Sequence, residues 1–167
     1  GNTYTLTGAV KYGYGKYQLI PRSNDDIVLE GGTEATIQSL QSSDASVNCA
    51  DDKNTNVSDG VVIAGTIAQE RFSVTNTMDG YFLTDGTQEL NSGIYMIVSK
   101  TKNTNFALGD EVSVVGSHKE YYCLTEVFAN TVEVTGQGGT LPAPLEVTLA
   151  DLMAAPEAYE GMLIQVA

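Results

Sequence analysis

Residues 109–127 have the sequence GDEVSVVGSHKEYYCLTEV, and this stretch decides the fold. In its first half, Val112 and Val114 alternate with more polar residues. Alternation with a period of two is typical of a β-strand with one buried face. A polar segment, Ser117 to Glu120, interrupts the pattern, and a second β-rich run, Tyr121 to Val127, follows. The stretch therefore predicts a β-hairpin with its tip at Ser117 to Glu120.

A similar hairpin pattern occurs near the start of the chain, at Tyr4 to Ser23. When Gly8 is aligned with Gly116, which lies 108 positions later, TGAVKY falls opposite VGSHKE. A second pair of similar segments is Ser58 to Ile67 and Tyr159 to Val166. Repetition at a constant spacing indicates an array of like units. We expect residues 1–32 to be the C-terminal part of one unit, residues 33–139 a complete unit, and residues 140–167 the start of the next.

The incomplete units at the two ends lead to a prediction about strand pairing. An apolar strand without a partner invites pairing with another strand edge. We therefore expect the last strand, Gly161 to Ala167, to pair with residues 4–20. That pairing would occur either within the chain or between two chains, as a strand-mediated dimer.

The complete unit is predicted to be all-β. Its first strand, Val61 to Arg71, contains Gly65, and a glycine within a strand suggests a bulge or a tight bend. Two shorter strands, Gly80 to Thr84 and Gly93 to Lys100, precede the closing hairpin. This arrangement predicts a five-stranded OB-like barrel with partial OB-like repeat units on both sides. The alternative is an immunoglobulin-like sandwich, which usually has about seven strands.

Two short helices are predicted outside these strands. Thr33 is a candidate N-cap for a helix within residues 33–41, and Thr148 for a helix at Leu149 to Ala154. The second helix should end before Pro156, because the residue preceding a proline disfavours helical geometry.

The charge balance limits the kinds of partner that the protein can bind. The 167 residues carry a net charge of -13, and a strongly acidic surface repels the phosphate backbone of nucleic acids. This argues against a free-standing DNA-binding protein. No apolar run reaches the length of about 18 residues that a membrane-spanning helix needs. A low Lys and Arg content, together with many Thr, Ser, Asn and Tyr residues, favours an extracytoplasmic location.

Several motifs resemble the OB-fold modules attached to secreted, sugar-nonspecific bacterial nucleases, and similar modules in surface proteins of Bacteroides-type bacteria. They are GYFLTDG, GIYMIVSK, the 109–127 hairpin and YEGMLIQV. The matching positions are Gly109, Asp110, Val112, Val114, Gly116, Glu120 and Tyr121, and later Tyr159, Glu160, Gly161, Met162 and Leu163. In those nucleases the catalytic domain is a separate segment. The resemblance therefore implies a non-catalytic accessory or scaffold module of a larger protein, with neighbouring domains of the same polypeptide as its partners.

The residues themselves also predict no enzyme activity. His118 is the only histidine, and its place on the predicted hairpin tip makes it an exposed surface residue. Any Ser-His-Asp or Cys-His assembly would need this residue, and no sequence context supports one. The 21 acidic residues contain no pair that stands out as a catalytic couple.

A ligand-binding face can be proposed from the OB-fold prediction. OB folds bind oligonucleotides and oligosaccharides across their second and third strands, often by stacking on aromatic rings. This implies single-stranded nucleic acid or an oligosaccharide as the partner. Tyr81 and Phe82 point to opposite faces, so at least one of them should lie in the core. The candidate binding residues are Arg71, Phe72, Tyr81, Tyr95, Lys100, Lys102, Lys119, Tyr121 and Tyr122.

No cofactor is predicted. Asp51, Asp52 and Asp59 lie in an oxygen-rich segment that could suit calcium. The EF-hand spacing fails, so a solvated acidic loop is the favoured interpretation. Cys49 and Cys123 leave two alternatives open, a disulfide bond or two buried thiols. Neither has the CxxC spacing of a zinc site.

Overall fold

The computed structural model describes residues 3–23, 26–43, 55–102 and 105–167. This part of the chain is mostly β-strand, in agreement with the predicted all-β class. Its strands are β1 (Thr3–Leu6), β2 (Ala9–Gly13), β3 (Lys16–Ile20), β4 (Ile27–Glu30), β5 (Thr33–Glu34), β6 (Thr55–Ile67), β7 (Phe72–Ser73), β8 (Met78–Thr84), β9 (Gly93–Ser99), β10 (Glu111–Tyr121), β11 (Leu124–Gly136), β12 (Leu145–Val147) and β13 (Ile164–Val166). Its α-helices are α1 (Ile37–Ser43) and α2 (Leu149–Ala154).

Within the described residues, five strands close into a ring of strand pairings, called the ring below. β6 pairs with β10, β10 with β11, β11 with β9, β9 with β8, and β8 again with β6. The β9–β11 pair is parallel and the other four are antiparallel. The remaining described strands lie outside this cycle.

The hydrophobic core lies inside the ring. Alternate residues of each strand point inward, as the two-residue period requires, so β9 contributes Ile94, Met96 and Val98. Helix α1 contacts β6 and β9 and adds Ile37 and Leu40 to the core. The other buried core members are Val61, Ile63, Ile67, Tyr81, Leu83, Val112, Val114, Val127 and Ala129.

The two helix caps differ in how well the sequence predicts them. The N-cap at Thr148 is confirmed, because its Oγ1 accepts a hydrogen bond from the Asp151 N–H at 3.1 Å. The N-cap at Thr33 is wrong, since Thr33 belongs to strand β5. Thr36 takes that role, and its Oγ1 accepts from the Ser39 N–H at 3.0 Å.

The predicted hairpin tip at Ser117 to Glu120 is also wrong. Strand β10 continues through Tyr121, and the turn is formed by Tyr122 and Cys123. Both turn residues have positive φ, 51° and 68°, as a two-residue hairpin turn of the mirror-image type requires. Such turns usually contain Asn or Gly, so this one leaves no signal in the sequence. The longer strand places His118 inside the ring.

The N-terminal hairpin repeats the β10–β11 hairpin with the same register. β2 and β3 form five residue pairs, and adding 108 to each residue number gives a pair of the β10–β11 ladder. The turn at Tyr14 and Gly15 likewise has positive φ at both residues, 52° and 77°. A Cβ on Gly8 would meet the Ile20 carbonyl, 12 residues later, just as one on Gly116 would meet the Phe128 carbonyl. The five pairs are Ala9–Ile20, Val10–Leu19, Lys11–Gln18, Tyr12–Tyr17 and Gly13–Lys16.

The C-terminal segment has the same order of elements as the segment from β5 to β6. Helix α1 connects the short strand β5 to β6, and these two strands pair in parallel. β12, α2 and β13 have the same order and the same parallel pairing. The capping residues Thr36 and Thr148 lie at matching positions before the two helices. The predicted pairing of the last strand with residues 4–20 within the chain is wrong, because in the described sheets β13 pairs only with β12, β1 only with β4, and β2 only with β3. Pairing between chains stays a prediction.

Candidate ligand-binding face

Three aromatic side chains cluster on the outer side of the ring. The centroids of the Phe72 and Tyr95 aromatic groups lie 5.8 Å apart with nearly parallel planes, and those of Phe82 and Tyr95 lie 5.2 Å apart. Phe72 and Phe82 complete the triangle at 6.1 Å. Because Phe82 and Tyr95 alternate with inward-pointing core residues, these side chains face away from the core. Tyr95 is only 6% exposed, whereas Phe72 and Phe82 are half-buried, so the two phenylalanines form the accessible part of the cluster.

Gly80 makes room for this cluster. A Cβ at position 80 would come within 2.6 Å of the Tyr95 hydroxyl oxygen and 2.7 Å of the Phe72 ring. β7 pairs with β8 through Phe72 and Gly80. Because glycine has no side chain, the aromatic groups of Phe72 and Tyr95 can pack over β8 at this position. The short β7 strand thus brings Phe72 onto the same face as Tyr95.

Glu126 lies beside the cluster. The parallel pairing of β9 and β11 places it opposite Tyr95. Its side chain is only 3% exposed, and its Oε2 has no hydrogen-bond partner among the described residues. Burial raises the pKa of Glu126 to about 7, an effect partly opposed by Lys119. Burial and the nearby Glu126 also raise the pKa of Tyr95 to about 12.

Lys119 extends the surface onto β10. Its Nζ lies 4.7 Å from the centroid of the Phe128 ring, a cation–π contact. Lys119 is paired with Glu126 in the β10–β11 ladder, so an amine and a carboxyl group sit next to the aromatic rings. We call this surface the outer aromatic face. Its members are Phe72, Phe82, Tyr95, Lys119, Glu126 and Phe128.

A groove adjoins one edge of the outer aromatic face. It has a volume of about 450 Å³ and is lined by Ala68, Gln69 and Phe82 on one side and by Gly161, Met162 and Leu163 on the other. The C-terminal segment forms its second wall because it is attached to the ring. The Thr125 N–H donates to Glu160 Oε1 at 2.9 Å, and the Asn91 N–H donates to the Ala158 carbonyl at 2.9 Å.

The basic candidates Arg71 and Lys100 are held by a buried aspartate at the margin of the face. Lys100 Nζ lies 3.6 Å from Asp79, and Arg71 lies 3.9 Å from it. Lys100 also donates to Ser73 Oγ and to the Thr75 carbonyl, both at 2.8 Å. These cations therefore compensate Asp79 and are not free to form a continuous basic surface. Lys102 follows in the 3-10 helix Lys100–Lys102.

The candidate tyrosines separate into three environments. Tyr81 is 0% exposed and packs edge-on against Phe106 inside the core, so its assignment to a binding surface is wrong. Tyr95 belongs to the outer aromatic face. Tyr121 and Tyr122 are exposed at the hairpin tip, with ring centroids 4.8 Å apart.

His118 is buried, with 1% of its surface exposed, so its interpretation as an exposed residue is wrong. It points into the ring because β10 keeps its alternation through Tyr121. Buried Glu120 lies two residues later on the same face of the strand. No group of three or more potential metal ligands occurs among the described residues.

The candidate calcium segment lies mostly outside the described residues, since only Asp59 of its three aspartates is described. Asp59 Oδ1 accepts hydrogen bonds from Asn56 at 3.0 Å and from Ser117 at 2.8 Å. These hydrogen bonds lower the pKa of Asp59. Cys123 is disulfide-bonded, and the other cysteine, Cys49, lies outside the described residues.

Three members of the outer aromatic face, Phe82, Glu126 and Phe128, are not among the candidate binding residues predicted from the sequence. The parallel β9–β11 pairing places Glu126 opposite Tyr95 and Phe128 opposite Ile97. A parallel pair between distant strands has no local sequence signal, unlike a hairpin. The alternation of β11 could have assigned both residues to the outer side, although not to a particular neighbour.

No protein-family model matches this chain, and no curated protein matches it either. Among the described residues, no helix has both the length and the apolar character needed to span a membrane.

Proposed function

We propose that this chain contains a non-catalytic OB-fold module from a tandem array in a larger extracytoplasmic protein. The observation that carries the proposal is the shared glycine contact of the two hairpins, offset by 108 residues: Gly8 and Gly116 each approach the carbonyl of the residue 12 positions later. A two-residue turn fixes the register of any hairpin, so the shared register alone would not relate the two, but the glycine contact lies outside the turn. Two copies of one unit would share it.

The OB assignment is supported by the strand pairings of the ring. Numbered along the chain, the five ring strands are paired in the cyclic order 1-2-3-5-4, with one parallel pair between the third and the fifth. A five-stranded Greek-key barrel has its strands returning in this way to cover one core. An immunoglobulin-like sandwich instead has two separate sheets.

An accessory role is supported by the kinds of residues that the site contains. The outer aromatic face offers half-buried phenylalanine rings and the amine of Lys119, and these groups suit binding. The disulfide bond of Cys123 supports an extracytoplasmic location, because structural disulfides persist in oxidising compartments.

Hydrogen exchange of the intact chain tests the modular organisation. If the ring is one complete module, amides of β6 and β8 to β11 should be protected as a single cooperative unit. Amides of β1 to β4 and of β12 and β13 should exchange faster, because these strands belong to units that are incomplete in this chain. Equal protection of all thirteen described strands would contradict the proposal. An assay for hydrolysis of DNA, RNA and glycans completes the test, and we expect no turnover.

The outer aromatic face favours a second function, the binding of a neutral oligosaccharide. Aromatic rings stack on the apolar faces of sugars, and the amine of half-buried Lys119 beside Phe128 can hydrogen-bond the hydroxyls. Nucleic acid is less well suited, since the net charge is -13 and Arg71 and Lys100 already compensate Asp79. The face would therefore select an uncharged polymer.

Binding assays with neutral glycans and with single-stranded oligonucleotides, at low and moderate salt, would test this second function. We expect glycan binding that weakens about tenfold or more in Phe82→Ala, consistent with loss of a stacking contact. Tyr14→Ala is the control, because Tyr14 is 98% exposed and distant in sequence from the face. Binding of oligonucleotides that falls with salt, without glycan binding, would instead favour the nucleic-acid-binding module of a secreted nuclease.

A further inference from the structure

Lys119 and Glu126 are neighbours on the outer side of the ring, but no ion pair joins them. They lie opposite each other in the β10–β11 ladder. Residues opposite each other in an antiparallel pair have Cβ atoms about 4.5–5.5 Å apart, so two long side chains at such positions can meet. The Lys119 Nζ lies instead 4.7 Å from the centroid of the Phe128 aromatic group. Among the described residues, neither Lys119 nor Glu126 takes part in an ion pair.

The Glu126 carboxyl group is buried without a full set of partners. Glu126 is 3% exposed, and its Oε2 has no hydrogen-bond partner among the described residues. A neutral carboxyl group tolerates such an environment, whereas an ionised one needs a cation or several hydrogen-bond donors. Burial raises the pKa of Glu126 to about 7, and the charge of Lys119 partly opposes this effect. The need of Glu126 for a cation therefore changes near neutral pH.

The groups that the other strands pack around Glu126 keep their charge in this pH range. Tyr95 of β9 lies opposite Glu126, and burial raises the pKa of Tyr95 to about 12, so its hydroxyl stays neutral. The side chains that β7 and β8 contribute to the outer aromatic face are phenylalanines and carry no charge. The next outward residue of β10, Tyr121, is exposed to solvent. Lys119 is the cation that acts on the Glu126 carboxyl group.

Asp59 of β6 is a second carboxyl group near Lys119. Its Oδ1 accepts hydrogen bonds from Asn56 at 3.0 Å and from Ser117 at 2.8 Å. These hydrogen bonds, and to a smaller extent the charge of Lys119, lower the pKa of Asp59. Asp59 is therefore ionised on both sides of neutral pH, and its attraction for Lys119 stays constant while that of Glu126 changes.

We propose that Lys119 has two positions on the outer aromatic face and that the protonation of Glu126 selects between them. While the Glu126 carboxyl group is protonated, the Lys119 ammonium group lies over Phe128, as in the structure. When the carboxyl group loses its proton, the ammonium group moves across the ladder and pairs with the carboxylate. The ion pair is then the stronger contact, because a cation–π contact with a half-buried aromatic group is weak and an unpaired buried carboxylate is unfavourable.

This movement changes what the outer aromatic face offers to a ligand, a consequence that rests on the glycan binding proposed above. At about pH 6 the amine beside Phe128 is available to sugar hydroxyls, whereas at about pH 8.5 Glu126 engages it. Glycan binding should therefore weaken about threefold or more between these pH values, which corresponds to the loss of one hydrogen bond. In Glu126→Gln, whose side chain stays neutral, glycan binding should not change with pH.

Proton NMR of Lys119 in the full chain tests the movement without any ligand. An aromatic group shifts protons that lie over its face to high field, so the ε-methylene protons of Lys119 should be shifted in this way at about pH 6. The shift should disappear with a midpoint at about pH 7. Phe128→Leu, which removes the aromatic group, identifies the signal. In Glu126→Gln the shift should persist at every pH. Glu133→Gln is the matched control, because Glu133 is an exposed residue of the same strand and its substitution should leave the titration unchanged.

Two results of this experiment would overturn the proposal. One is a Lys119 signal in the wild type that stays the same from about pH 6 to about pH 8.5. The other is a signal that titrates equally in Glu126→Gln, because a group other than Glu126 would then move Lys119. A signal that titrates as expected in a chain that binds no glycan supports the movement and refutes the proposed glycan binding, so the two failures are distinguishable.

Discussion

Glu126 is a carboxyl group in an apolar environment. It is buried beside Tyr95 on the outer side of the ring, with Lys119 as a nearby cation. Burial disfavours the charged carboxylate, which is why its pKa rises from 4.5 to about 7. Near neutral pH the side chain therefore exists in both protonation states. A shift of this kind is often found at functional sites, in agreement with a binding role for this face.

The pKa of Glu126 predicts how stability depends on pH. The folded protein binds this proton more tightly than the unfolded chain, so the free energy of unfolding falls as the pH rises from about 4.5 to above 7. Glu126→Gln should be more stable than the wild type at about pH 8, by roughly 1–2 kcal/mol after allowance for solvent screening. Near pH 4 the two should be similar. Urea denaturation at several pH values measures this.

Glu133→Gln is the matched control for that experiment. Glu133 lies on the same strand as Glu126 but is exposed. Glu133→Gln should therefore leave the change in the free energy of unfolding between high and low pH as it is in the wild type. An identical effect of both substitutions would contradict the role assigned to burial.

Gly116 predicts a steric effect within β10. A Cβ at this position would come within 2.5 Å of the Phe128 carbonyl oxygen and 2.9 Å of the Val127 side chain. Gly116→Ala should therefore lower the free energy of unfolding by about 1–3 kcal/mol, as overpacking does. Gly13→Ala is the control, because no atom lies within 4 Å of the Cβ it would add. Thermal denaturation of both variants gives the comparison, and equal losses would rule out the steric explanation.

At the scale of elements, the tip of the β10–β11 hairpin is stabilised by a covalent bond. Tyr122 and Cys123 both have positive φ, a conformation that is unfavourable for residues other than Gly, Asn and Asp. Cys123 is disulfide-bonded. A disulfide bond restricts the unfolded chain and thereby stabilises the folded one. The disulfide bond can thereby offset the unfavourable free energy of the positive φ angles in this turn.

Removing the disulfide should destabilise the fold. We expect Cys123→Ser to lower the free energy of unfolding by about 2–4 kcal/mol. A reductant should have the same effect on the wild type and no effect on the variant. Guanidinium denaturation with and without reductant distinguishes these cases. A wild type that is insensitive to the reductant would show that the bond does not contribute to stability under these conditions.

For the whole molecule, the dominant electrostatic property is the net charge of -13. Like charges repel more strongly in the compact state than in the extended chain, so the charge opposes folding. Salt screens this repulsion over a distance of about 10 Å at 0.1 M.

Salt should therefore stabilise the fold. We expect the midpoint of thermal unfolding at neutral pH to rise by a few degrees as sodium chloride is raised from low to moderate concentration. Sucrose is the control, since it stabilises by exclusion from the surface without screening charge. If sodium chloride had no effect, local ion pairs such as those of Asp79 would have to compensate the net charge.

Hydrophobic alternation was sufficient to predict most strands from the sequence. It located the two hairpins, and the Gly8–Gly116 alignment gave the offset of 108 that relates their registers. It failed at Ser117 to Glu120, because two inward-pointing residues of β10, His118 and Glu120, are polar. Polar residues on an inner face look like loop residues to any pattern based on hydrophobicity.

The sequence by itself determined the period and order of most strands and the offset between the two hairpins, because these depend on neighbouring residues. The pairing of β9 with β11 and the closure of β6 on β8 were decided only by the tertiary structure. Long-range pairing depends on which strand edges can be covered around a single core, and no short segment contains that information. For this reason only the tertiary structure shows where the candidate binding residues lie. Tyr81 lies in the core, Arg71 and Lys100 lie beside Asp79, and Phe72, Tyr95 and Lys119 belong to the outer aromatic face.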